Sequence, residues 1–342
     1  MEEISIGAIE IRLVWADRND RDETPMRQLL AALIAIFFLE AFVFAADKIR
    51  IGVPDFVSQF SSLPLAQKKG FLQDEGLQAE IVRINATIGI AALATGEIDY
   101  YSGIGPGVAA ILQGAPIKVV ACYVPGAPFA FIARPEFQSV QELRGKAIAL
   151  NTFGGNIEVV ARLILKHFGV DADKEVKFLA LGTNERRFAA MKQGMVAATL
   201  GTPPMDFFGK KLGFVVLTRA HELFSYPASG VLASAKKLRE RPDEIKRVIK
   251  AGIRFNRYFR QNREGAILAM MEWMKIDKEI AAATYESVVR AFNDDGGLPV
   301  EGLQLLIDEA KKQVKLNREV LPGEVADLSS LKEAQKELGI IK

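Results

Sequence analysis

Small polar residues and glycines recur wherever a short apolar run gives way to a helix-like segment. Ser61 and Ser62 follow the run from Ile49 to Val53, Thr87 and Gly89 follow Ala79 to Ile84, and Ser102 and Gly103 close Ile98 to Gly103. Farther along come Asn151, Thr152, Gly154 and Gly155, then Thr183 and Asn184, then Gly201 and Thr202. A helix start leaves backbone N–H groups unpaired and carries partial positive charge, so such turns can hold an anion without a formal counter-charge. Taken singly, Ser, Thr and Asn in these places serve most often as helix N-caps. Six turns converging on one cleft make ligand binding the better reading of the set, and the two roles are compatible.

Other groups add to this without deciding it. Arg186 and Arg187 follow the Thr183-Asn184 turn; one can pair with a ligand carboxylate bidentately, while a solvated helix face suits at least one of them. Phe129, Tyr101 and Tyr226 can wall a cleft, and buried packing accounts for each equally well. Asn85-Ala86-Thr87 fits a glycosylation sequon, a three-residue match of little weight. Signals for catalysis are poor. His167 ends a helix before Gly169, and His221 has no Ser or Cys nucleophile beside it. No G-x-S-x-G elbow or G-x-x-x-x-G-K-[ST] loop occurs, and Gly103 to Gly107 has the wrong spacing for a dinucleotide fingerprint. Cys122 is the only cysteine, which excludes an intrachain disulfide and a Cys-based zinc site. No catalytic residue, metal or cofactor is expected.

Apolar runs alternating with helical periodicity position these turns and predict a parallel α/β arrangement. Strands are expected at 49–53, 79–84, 98–103, 117–123, 146–150, 176–181, 196–200 and 214–218, with helices between them. Pro- and Gly-rich stretches at 124–130 and 224–230 read as hinge crossings. Beyond Tyr226-Pro227 the chain reads as wholly helical, opening with Pro242 at a first helical position. Residues 47–123 and 231–342 are expected to form lobe 1 and residues 131–223 lobe 2. Open α/β sheets bind ligands outside the C-terminal ends of their strands, which here would face one cleft. Trp273, in the helical tail, is expected to lie away from it.

The N-terminal 46 residues read as a leader. Met26-Arg27 gives a short positive start, Leu29 to Phe44 an apolar core, and Val43-Phe44-Ala45 a small-residue cleavage site, as in a secretory signal peptide. Four of the 44 basic and eight of the 42 acidic residues precede Ala46; the other 40 and 34 leave a net charge of +6. That mild balance, with no Lys/Arg block, argues against nucleic acid as a partner. An exported chain with one cysteine suits a bacterial periplasm.

The segments LPLAQKKGFLQDEGLQAEIV, LATGEIDYYSG and GAPIKVVACY, then SVQELRGKAIALN and FAAMKQGMVAATLGTPP, come in an order that resembles the sulfonate/nitrate/taurine-type substrate-binding proteins of ABC transporters. These belong to the superfamily that includes the thiamine-pyrimidine synthases. The resemblance implies an α/β, two-lobed, periplasmic-binding-protein-like type II fold with a helical C-terminal extension. It further implies a monomer that takes a small polar or anionic organic ligand between its lobes and delivers it to an ABC permease with a cytoplasmic ATPase. Two departures stand out. Gly154-Gly155 replaces the Gly-Ser pair typical of the family, and Gly201-Thr202-Pro203-Pro204 replaces an aromatic-acidic pair common in sulfonate-type members, which puts sulfonate itself in doubt. Two rivals stay open: an enzyme on the same fold, pyrimidine-synthase-like or a small-molecule lyase, and a sensor module presenting its ligand to a membrane receptor. The synthases use a cysteine-rich motif, which a single cysteine does not supply.

Overall fold

The computed structural model describes residues 46–153 and 155–342; the leader expected over 1–46 lies almost wholly outside them, as does Gly154. Two five-stranded sheets carry the chain. In the first half β1 (Asp47–Val53) leads to α1 (Ser62–Lys68), β2 (Leu77–Arg83) to α2 (Ala86–Thr95), β3 (Tyr100–Gly103) to α3 (Ile104–Leu112), and β4 (Ile117–Val124) follows. After a crossing come β5 (Ala130–Ala133), β6 (Ala147–Leu150), α4 (Asn156–His167), β7 (Lys177–Ala180), α5 (Asn184–Lys192), β8 (Ala198–Gly201), α6 (Met205–Lys211) and β9 (Val215–Arg219). The chain then returns as β10 (Ser229–Ser234) before its helical tail, led by α7 (Pro242–Gln261).

The first sheet has the order β2-β1-β3-β10-β4 and the second β7-β6-β8-β5-β9. Strands β10 and β5 run antiparallel to both their neighbours, while the other pairings are parallel. Each sheet therefore takes one strand from the chain just after it crosses over. This is the two-lobed type II arrangement that the resemblance implies. Two details differ from expectation. Residues 229–234 form a strand where the sequence reads as helical, and Ala130 to Ala133, inside the proline-bounded stretch, form another.

Packing follows from the pattern. Only Lys118 of β4 is not buried, so that strand is covered on both faces, as parallel α/β sheets require. Pro242 sits at the start of α7 with Asp243 and Glu244 in its first turn, favouring helix initiation there. Its apolar stripe, including Ile245, Val248, Ile249 and Phe255, joins the core of the first sheet with Ile51, Val120 and Val231. A further core couples the lobes: Ala127, Phe129 and Tyr226 of the crossings, with Ala220 just before the second, pack with residues of both sheets. The crossings are also bonded to each other, Tyr226 N donating to Pro125 O at 2.8 Å, and Ala220 N, just before the second crossing, donates to Phe129 O at 2.9 Å.

Candidate functional site

The C-terminal ends of β1, β2 and β3 open into the turns bearing Ser61, Thr87 and Gly103, and those of β6, β7 and β8 into the turns bearing Thr152, Thr183 and Thr202. Helix caps separate these turns into two kinds. Asn85 accepts from Ile88 N at 3.1 Å and Thr183 from Arg186 N at 3.5 Å, so both spend their side chains on the helix. Helices α3 and α4 begin at Gly103 and Gly155 with no side-chain cap. Thr152 Oγ1 turns to Phe153 O, 3.3 Å away, and does not cap α4.

The expected residues therefore fare differently. Ser62 is a packing residue: it is buried and its hydroxyl donates to Asn256 Oδ1 at 2.8 Å, while Asn256 ties down Tyr123 O and Asn293 O. The neighbouring Ser61 is buried with its Oγ unpaired. Gly103 and Gly89 have a packing reason as well, since an added Cβ would stand 2.9 and 2.5 Å from the ring of Tyr101. Ser102 and Phe129 are buried, Thr202 is half-buried, and Thr87, Asn151, Thr152 and Asn184 are exposed. Phe129 also accepts at its carbonyl from Ala220 N, just before the second crossing. Gly154 is not described.

Sequence reasoning undervalued Arg187. Carried in the first turns of α5, it is only 3% exposed and has no carboxylate in ion-pair distance among the described residues. Its Nη1 donates to Thr199 Oγ1 at 3.0 Å and to Leu200 O, its Nη2 donates to Asn184 Oδ1, and its Nε has no partner. Burial chiefly pushes the guanidinium pKa down, and the charge of Glu185 acts against it. Leu200 lies in the last residues of β8, so the charge sits at a strand end. The helical signal that puts Arg187 on the same face as Met191 was present in the sequence; nothing there showed that the acid partner is missing.

Seven buried side-chain atoms lack hydrogen-bond partners among the described residues. Gln59 Oε1 and Ser61 Oγ lie in the turn after β1, Tyr101 OH comes from β3, Arg187 Nε and Asp206 Oδ1 come from the helices after β7 and β8, and His221 Nδ1 lies just before the second crossing. Only Arg247, on α7, is remote from strand ends and crossings. Buried polar atoms are nearly always paired, so each of these is a candidate for a partner outside the chain. Elsewhere the burial of polar groups is satisfied: Tyr100 OH donates to Glu244 Oε1 at 2.7 Å and Lys237 Nζ reaches the same oxygen at 2.6 Å. Two open depressions among the described residues lie away from this set. One of about 670 Å³ is lined by Asp308, Lys311, Lys312 and Lys315, and one of about 500 Å³ lies beside Lys48, Arg50, Glu80 and Asp99. Both are open surface hollows walled by solvated charges.

Comparison with known proteins agrees with this geometry. A family model described as NMT1/THI5 like matches residues 57–264. A protein of Brucella abortus (strain 2308) named as a binding protein is 26% identical over 260 residues, covering 74% of this chain and 80% of its own length. The periplasmic aliphatic sulphonate binding protein SsuA from Escherichia coli superposes with a TM-score of 0.66 at 19% identity, over 82% of this chain and 92% of that one. The desulfurization enzyme DSZB shares the fold too, with a TM-score of 0.61 at 14% identity over 85% and 99%.

Proposed function

The chain belongs to the NMT1/THI5-like family, and from that premise we propose that it is an exported solute-binding protein of an ABC importer. It takes one small organic anion between its lobes and hands it to the permease. The reading rests on the unpaired buried polar atoms at the strand ends of both sheets, with Arg187 as the cation among them. Support for the class comes from the Brucella relative, named as a binding protein, and from the sulphonate-binding protein of the same fold. In this reading residues 47–123 and 231–342 move as one lobe and 131–223 as the other, with 124–130 and 224–230 as hinges. Asn151, Thr152, Gly155 and Thr202, with the free N–H groups of α4, complete the anion's surroundings, and the periplasm is where the chain works.

DSZB shows that the fold also hosts enzymes. This chain's own residues favour binding over catalysis. Cys122 is fully buried in β4, and burial pushes its thiol pKa well up, the reverse of an activated nucleophile. Burial also lowers the pKa of His221, which sits with no thiol or hydroxyl bonded to it. A thermal-shift screen of sulfonates, carboxylates, nitrate and pyrimidines tests the proposal. A ligand held only by the folded state at a hundred times its Kd adds about 2.7 kcal/mol and must raise Tm. A full panel without any shift would refute it.

A further inference from the structure

The two sheets correspond strand for strand, β1 with β6, β2 with β7 and β3 with β8. In that correspondence one apolar position is repeated. Phe56 is the third residue after Val53, the end of β1, and Phe153 is the third residue after Leu150, the end of β6. Both are exposed, Phe56 at 38% and Phe153 at 59%, although large apolar side chains are ordinarily buried. Ile88, in the next turn of the first lobe, is 56% exposed. Solvated apolar groups gathered at a binding cleft mark surface that a ligand covers.

Phe56 is moreover held in place. Its ring centroid lies 4.5 Å from that of Trp273, and the Arg83 guanidinium stands 5.5 Å from its centroid while pairing with Asp55 at 2.6 Å. Trp273 Nε1 donates to Val57 O at 3.4 Å, which fixes the same turn from behind. Trp273 thus abuts the first turn rather than lying remote from it. A ring held by these contacts and still 38% exposed can take an aromatic partner.

Resting on the solute-binding reading above, we propose that the ligand is an aryl anion, an arenesulfonate or arenecarboxylate. Its flat apolar body lies between Phe56 of one lobe and Phe153 of the other. Its acidic group is turned to the Arg187 side. The glycine pair at 154–155, in place of a hydroxyl donor, fits a ligand that offers that turn fewer hydrogen-bonding groups.

Calorimetric titration of the purified chain with matched pairs, benzenesulfonate against methanesulfonate and benzoate against acetate, tests this. Either aryl member should bind about tenfold tighter than its methyl counterpart, the scale of one aromatic contact. Phe56→Leu and Phe153→Leu, both at exposed positions, should each remove most of that preference by weakening the aryl members far more than the methyl members. Aryl saturation should also change Trp273 emission, and methyl saturation should not. Equal affinity within each pair would overturn the aryl assignment and leave solute binding standing. Full aryl preference in both variants would overturn it too, as would variants that bind normally but lose uptake, which would assign the two rings to the permease. Should no anion of either kind bind, the solute-binding reading falls and takes the aryl assignment with it.

Discussion

At the residue scale, adjacent serines have opposite roles. Ser62 is a link in a closed network through Asn256, so Ser62→Ala should lower stability by about 1–2 kcal/mol, the cost of leaving a buried acceptor unpaired. Ligand affinity should stay at the wild-type value; a large drop in affinity with unchanged denaturant melts would reverse the assignment. Ser61, beside it, keeps a buried hydroxyl with no partner among the described residues, and the proposed reading assigns it to the site. The sequence could mark this turn as polar and pre-helical but could not say which hydroxyl is spent on the fold. The same limit hid Arg187. Its place on α5 is legible from spacing, whereas the absence of a compensating carboxylate is a fact of three-dimensional packing.

At the element scale, the parallel strands and their helices were legible because each is a run of apolar residues bounded by a glycine or a cap. Gly96 and Gly169, both at positive φ, end α2 and follow α4 where the spacing places them. Strands β5 and β10 were not legible. AFIA and SGVLAS are short, flank prolines, and take their partners from strands far away in sequence, so no local period announces them. Gly230 reveals the consequence: a Cβ there would stand 2.1 Å from Ala121 O, so β10 can slot beside β4 only without a side chain. The segment just before the second crossing carries a titratable group in the same tight setting. His221 lies where a Cβ on Gly126 would come within 2.5 Å of its own Cβ. Burial chiefly lowers its pKa, Arg219 and Arg290 add to this, and Glu222 opposes them. The unfolded chain then binds the proton more readily than the folded one. Stability is complete above the unfolded value of about 6.5 and falls as pH drops through it toward the lower folded value. Melts between pH 7.5 and 5 should show that loss in the wild type and a flatter profile in His221→Gln; equal slopes would contradict it.

At the scale of the whole molecule, the two lobes meet through more than their crossings. Asp206 of α6, paired with Arg219 at 2.7 Å, accepts from Ser287 Oγ at 2.6 Å, and Lys211 pairs with Glu279 at 3.0 Å. Ser287 and Glu279 both lie on the tail helix Lys278–Val288, which packs with the first sheet, so these contacts bridge the lobes. A lobe pair joined by two bonded crossings and a small polar contact can open and close over a ligand without unfolding. In the proposed reading, closure brings the strand ends of both sheets onto one solute, and Arg187 supplies the charge that selects an anion. The most direct test is a calorimetric titration of wild type and Arg187→Met with an anion that raises Tm, alongside denaturant melts of both. The account predicts one ligand per wild-type chain, with binding weakened in the variant by about 1.5–3 kcal/mol, the worth of a hydrogen bond to a charged group. Folding of the variant should remain cooperative. Wild-type affinity in a folded Arg187→Met chain would contradict the account, because the one buried cation at the strand ends without an acidic partner would then have no part in holding the ligand.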